Sequence, residues 1–98
     1  MATSESPVIV AGEKTVAAAG TAEALSSTRR VKALTVVAKA GNTGQVYVGG
    51  SDVSSSTNGG LDARESVSFE AEGWMDLADI YIDCGVSGEG VDFYAVKA

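Results

Sequence analysis

The sequence predicts an all-β chain: a single small β-sandwich or jelly-roll-like barrel of about seven or eight short antiparallel strands with an N-terminal arm. Three observations carry this expectation. Thirteen valines stand against four leucines, and β-branched side chains suit a pleated, half-buried surface while losing χ1 freedom in a helix. Several segments alternate apolar and polar residues with the period of two that a strand requires. Twelve glycines, together with clusters of Ser and Asn, separate these segments at short intervals.

Residues 1–6 are polar, and Pro7-Val8-Ile9-Val10 is a short apolar segment set off by Ala11-Gly12. Two readings stay open for residues 1–13: the first edge strand of the domain, or an arm that docks on a partner chain or a neighbouring subunit. Residues 14–98 are expected to form the sandwich domain. Pro7, the one proline, lies where it cannot interrupt a central strand. The segments 15–19 and 21–26 are rich in Ala, which favours helix, but Thr15, Val16, Gly20 and Thr21 turn the balance towards two weak strands around a bend. In residues 31–40, Leu34, Val36 and Ala38 alternate with Ala33, Thr35, Val37 and Lys39. Both faces are therefore partly apolar, which predicts a central strand.

Gly41-Asn42-Thr43-Gly44 tolerates positive φ and leads into Val46-Tyr47-Val48, which predicts a hairpin. The polar run 49–60 predicts an exposed loop. Ser66, Ser68 and Glu70 alternate with Val67, Phe69 and Ala71, so a strand is expected there with Val67 and Phe69 pointing inward. Trp74-Met75-Asp76-Leu77 reads as one helical turn before Ile80-Tyr81-Ile82. Ile80, Ile82 and Cys84 then share the core face, and Asp79, Tyr81 and Asp83 share the other, with the carboxylates facing water. Residues 85–90 are expected to turn, and residues 91–96 to form the last strand. No segment predicts a long helix.

Ninety-eight residues suffice for one core, and 45% apolar with 20% charged residues marks a globular chain. The net charge of -6 and a single basic pair, Arg29-Arg30, argue against nucleic acid, whose phosphates need clustered Lys and Arg. Cys84 is the only cysteine, which excludes an internal disulfide and a four-cysteine zinc site. The polar N-terminus is unlike a signal peptide, and no apolar run approaches the ~20 residues of a membrane span, so no membrane partner is expected.

The absence of histidine excludes Ser-His-Asp and Cys-His nucleophilic machinery from this chain. Asp79 and Asp83 share a strand face but stand roughly 13 Å apart at ~3.3 Å per residue, wider than paired-carboxylate hydrolysis uses. Asp52, Glu89 and Asp92 lack the dense ligand loop of a hard-cation site. Gly41-Asn42-Thr43-Gly44 has no following Lys or helix to hold a phosphate. The expectation is a protein that is not an enzyme and takes no cofactor or metal. Trp74, the one tryptophan, suits a core edge or an interface. Tyr47 and Tyr81 project opposite the aliphatic side chains of their strands and together could form an aromatic contact surface.

The stretches Gly41-Asn42-Thr43-Gly44-Gln45-Val46-Tyr47-Val48-Gly49, Ser51-Asp52-Val53-Ser54-Ser55-Ser56 and Asp76-Leu77-Ala78-Asp79-Ile80-Tyr81-Ile82-Asp83 resemble small structural proteins encoded beside capsid genes in tailed bacteriophages. Gly88-Glu89-Gly90-Val91 before an aromatic strand fits the same pattern, and the similarity spans about residues 14–96, leaving the first thirteen residues outside it. Such families resemble capsid decoration, or cement, proteins. The resemblance implies a compact β domain on the outer surface of the virion, assembled in the host cytoplasm. It also implies a homo-oligomer, dimer or trimer, that clamps neighbouring subunits of the major capsid protein and needs no catalytic residue. Contact candidates under that reading are Pro7, Val8, Ile9, Val10, Arg29, Arg30 and Trp74. Two other classes stay open: a fibre-base or host-surface module that binds carbohydrate, and a minor tail or neck component.

Overall fold

The computed structural model describes residues 8–56 and 59–98. Seven strands run through them: β1 (Ile9–Thr15), β2 (Glu23–Ala24), β3 (Arg30–Ala38), β4 (Val46–Gly49), β5 (Ser66–Asp76), β6 (Tyr81–Cys84) and β7 (Gly90–Lys97). A 3-10 turn, Leu77–Asp79, joins β5 to β6, and the described residues contain no α-helix. The strands form two antiparallel sheets, β1-β7-β3-β5 and β2-β6-β4. The fold is a small β-sandwich, as the valine content and the alternation predict.

Alternation decides which side of each strand enters the core. β3 buries Val31, Leu34, Val36 and Ala38, and its neighbour β7 buries Val91, Phe93 and Ala95. From the smaller sheet, Val46, Ile82 and Cys84 join the same cluster, and Leu25, Val16 and Leu77 complete it. β3 and β7 are the central strands of the larger sheet, which is why so many of their side chains are buried. Cys84 sits in the core as expected. Burial holds its thiol above the ordinary cysteine range, and its Sγ donates to the Val86 carbonyl at 2.9 Å.

Residues 9–13, for which an arm and an edge strand were both open, run in β1 at the edge of the larger sheet, each paired with β7 from Ile9↔Val96 to Glu13↔Asp92. Ala11-Gly12 is no spacer. The Phe93 ring lies over Gly12 so closely that a Cβ there would come 2.6 Å from its Cζ, so this glycine belongs to the packing. Of the two weak strands expected at 15–19 and 21–26, the first contributes only Thr15, the end of β1, and the second only Glu23–Ala24. Residues 16–22 turn instead, held by the bond from Ala17 N–H to the Glu23 carboxylate at 2.8 Å.

The expected hairpin at 41–44 does not form. β3 has β5 on one side and β7 on the other, so it offers no free edge, and β4 pairs with β6 in the opposite sheet. The turn carries the chain across the sandwich and is pinned to the β6–β7 connection. Glu89 accepts from the N–H and Oγ1 of Thr43, each at 2.8 Å, and from Gly44 N–H at 2.9 Å. Asn42 Nδ2 donates to the Gly90 carbonyl at 2.8 Å.

Nor do residues 74–77 make the expected helical turn. Met75 and Asp76 are still in β5, opposite Val31 and Arg30. The turn starts only after Asp76, whose Oδ1 caps Ala78 N–H at 2.9 Å. Within β5 the register jumps: Ala33 faces Glu70 and Val31 faces Met75, so residues 71–74 bulge opposite Lys32 alone. Of the run 49–60 expected as an exposed loop, Gly49 ends β4 and Val53 is buried.

Asp83 was expected to face water and is instead the buried charged residue of the described chain, 2% exposed. Alternation does put it on the outer side of β6, but the 16–22 turn folds over that side. Its Oδ1 accepts from Gly20 N–H at 2.9 Å and from Cys84 N–H at 2.8 Å, the compensation a buried carboxylate requires. Gly20 adopts φ +91 to present that N–H, a conformation that favours glycine.

These backbone-to-carboxylate bonds set an acid limit on stability. N–H groups of Gly44 and Thr43 hold the Glu89 carboxyl below its ordinary range, those of Ala78 and Arg29 do the same for Asp76, and Ala17 N–H with Lys14 for Glu23. A carboxyl whose folded pKa is depressed contributes stability that is complete above its unfolded pKa, about 4.3 for Glu, and that fades as pH falls through the folded value. The melting temperature is therefore expected to hold from neutral pH to about 5 and to drop below about 4. Glu89→Gln should flatten that acid limb in a series of melts at stepped pH. A limb identical to that of the native chain would show that Glu89 does not contribute to it.

Candidate interaction surface

The outward face of the larger sheet follows from its register. One row across it reads Ile9, Val96, Ala33, Glu70; the next Ala11, Tyr94, Thr35, Ser68; the third Glu13, Asp92, Val37, Ser66. The charged side chains on these rows are Glu13, Asp92 and Glu70. Lys39 reaches over the edge of the face and bridges two of them, with Nζ 2.8 Å from Glu13 and 2.7 Å from Asp92. Contacts with Asp92 and then Glu13 raise the Lys39 pKa. Thr35 Oγ1 and Ser68 Oγ satisfy each other at 2.9 Å. The result is a mixed face on which half of these outward residues are apolar and half polar or charged, with Ile9 and Tyr94 standing exposed on it.

Most of the contact candidates gather at one end of this sheet. Val8 accepts from Lys97 N–H at 2.9 Å, and Arg30 accepts from Ala98 N–H at 3.2 Å, so the start of β1, the end of β7 and the start of β3 lie side by side. Arg29 is tied in through its N–H to Asp76 Oδ1 at 3.0 Å and through its carbonyl to Leu77 N–H at 2.9 Å. The bulge at 71–74 turns Trp74 towards the start of β3, where the Arg30 guanidinium stacks 4.1 Å from the indole centroid. At ~4.8 Å per strand, β1 and β5 stand only about 14 Å apart.

Trp74 is 51% exposed, Val8 52% and Ile9 61%. Val10 takes the opposite orientation from Ile9 and packs against the core. Pro7 lies outside the described residues. Tyr47 and Tyr81 are half-buried on the outer face of the smaller sheet, on the far side of the sandwich from Tyr94, and so do not extend this surface. Tyr94 was not among the contact candidates. The signal for it was available, since inward Phe93 and Ala95 leave the residue between them pointing out.

Grooves lie beside β1 and beside β5. The one beside β1 is about 830 Å³, lined by Val10, Gly12, Leu25, Ser27, Tyr81 and Phe93 among others. The other, about 380 Å³, runs beside β5, where Phe69, Trp74, Met75, Ile80, Gly49 and Asp79 contribute to its walls. Among the described residues no group of three His, Cys, Asp or Glu side chains could hold a metal ion, and no helix is long and apolar enough to cross a membrane. What the arrangement offers is contact: a sheet face of mixed composition, with Ile9 and Tyr94 exposed on it, bordered by a stacked Arg–Trp pair. The chain matches no family model, no curated protein and no solved structure.

Proposed function

We propose that this chain is a virion structural protein that decorates the outer surface of a tailed-bacteriophage capsid and stabilises contacts between subunits of the major capsid protein. The observation that carries the reading is the convergence of Val8, Ile9, Arg29, Arg30 and Trp74 at one end of the larger sheet. Trp and Arg are enriched among the residues that carry binding energy at protein interfaces, and Val8 and Ile9 add exposed apolar surface beside them. The resemblance to capsid-associated proteins supplies the partner. A domain that binds only the expanded lattice stabilises it by mass action, because the unexpanded shell offers no equal site.

Cosedimentation of purified protein with capsids of the encoding phage tests this. Binding is expected to expanded capsids and not to unexpanded ones. Removing the stack with Arg30→Ala and Trp74→Ala should weaken binding by about 2 kcal/mol or more, roughly thirty-fold, while the fold persists. Protein that ignores both capsid forms would end the proposal. The groove beside Trp74, with aromatic walls and two acids, Asp76 and Asp79, favours one second reading, a carbohydrate-binding module of a fibre base or host-surface protein. Binding to a glycan panel without binding to capsids would establish that reading instead.

A further inference from the structure

β1 is an edge strand, and its hydrogen-bonding directions can be assigned residue by residue. Val8 and Val16 turn their backbone groups towards β7: Lys97 N–H donates to the Val8 carbonyl at 2.9 Å, Val16 N–H to the Glu89 carbonyl at 2.9 Å, and Gly88 N–H to the Val16 carbonyl at 2.8 Å. Directions alternate along an antiparallel strand. The N–H and C=O groups of Ile9, Ala11, Glu13 and Thr15 therefore point away from the sheet, and among the described residues none has a hydrogen-bond partner.

Proteins usually blunt such an edge with a bulge, a proline, shortness or free charge. The other edges of this sandwich follow that practice. β5 carries the bulge at 71–74, β2 has two residues, and β4 is covered at Val46 by a bridge to Leu61. β1 is seven regular residues without proline or bulge, and the one such device it carries is Lys14, which points inward on the side of Val10 and Gly12. Both of its charged side chains are already engaged, Glu13 with Lys39 and Lys14 with Glu23 at 3.0 Å. Val8 and Ile9 stand exposed at its start.

We infer that β1 pairs antiparallel with β1 of a second copy across a two-fold axis, joining two four-stranded sheets into one continuous sheet. The strand's own residues select the register. Centred on Gly12, Ile9 lies opposite Thr15 of the second copy, Val10 opposite Lys14, and Ala11 opposite Glu13. Every outward N–H and C=O of both strands is then used, and no like charges stand directly opposed. The aliphatic stem of Lys14 covers Val10. Centring on Ala11 would set Thr15 against Pro7, which has no N–H. Centring on Glu13 would oppose two carboxylates. This self-complementarity is what points to a second copy as the occupant, and it does not rest on the capsid reading.

Light scattering on the full chain should give twice the 9.9 kDa of one copy. Ala11→Pro removes an outward N–H and leaves the bonds of Val10 and Gly12 to β7 intact; it should halve the mass with unchanged far-ultraviolet dichroism. Hydrogen exchange on the native protein reads the same edge without substitution: the Ile9, Ala11, Glu13 and Thr15 amides should be protected. A native monomer, a folded Ala11→Pro variant that stays dimeric, or a dimer in which those four amides exchange freely would each overturn the inference. If the variant does not fold, the amides decide. None of these results bears on capsid binding, which is measured on particles.

Discussion

Gly90→Ala is expected to destroy the fold or to cost more than about 3 kcal/mol, beyond the usual range for overpacking. Gly90 opens β7 directly opposite Thr15. A Cβ there would collide with the Lys14 carbonyl oxygen and come 2.7 Å from Thr15 Cα and 2.9 Å from the Lys14 carbonyl carbon. All of these are backbone atoms, so no side chain can swing aside. Gly90 cannot retreat either, because its carbonyl accepts from Lys39 N–H at 3.1 Å and from Asn42 Nδ2 at 2.8 Å. Relief requires β1 to separate from β7, which opens the groove edge and uncovers Phe93. Against a total stability of about 5–15 kcal/mol, such a loss is decisive. Urea denaturation checks it, with Gly41→Ala as the control: nothing lies within 4 Å of a Cβ at Gly41, so that variant should stay within about 0.5 kcal/mol of the native chain. If both variants unfold at the same urea concentration, β1 is not held as tightly against β7 as the distances require.

The strands that were legible in the sequence are those whose own residues settle their environment. β7, the first half of β5 and β3 from Ala33 onward alternate, and a one-residue slip would have turned Val36, Val67 or Phe93 into water. The 41–44 turn was misread because turn chemistry reports local backbone freedom only. Which strand β4 meets depends on whether β3 still has a free edge, and that was decided by β5 and β7, which come later in the chain. Asp83 illustrates the same limit. Alternation assigned its face correctly, but whether that face is wet depends on a turn far away in sequence that covers it. In the candidate surface, Arg29, Arg30 and Trp74 were each recognisable by type, as the basic pair and the lone indole. Their meeting was not legible, since it is made by a bulge in β5, and a bulge of this kind leaves no pattern in a single sequence beyond an interrupted alternation at Gly73.

The second large effect is expected at Leu34, the inward residue at the middle of β3. It is 2% exposed and has Phe69 and Ala95 as its in-register neighbours on either side. Leu34→Ala removes branched carbons from the layer where the two sheets face each other. Collapse around the gap is hindered on every side: the ladder bonds of β5 and β7 fix the backbone, Ala95 is too small to fill the space, and the Ile82 layer belongs to a separately paired sheet. A cavity that cannot close adds its own cost to the lost transfer energy, for about 2–5 kcal/mol in total. The urea midpoint should fall accordingly with an unchanged slope, since the surface exposed on unfolding hardly changes. Ala33 and Thr35, the neighbours of Leu34 in sequence, lie on the outward face and are untouched. Below its transition the variant should therefore keep the molar mass and the capsid affinity of the native chain. A loss of either before unfolding would mean that the outward face is shaped by the packing beneath it and is not a rigid surface.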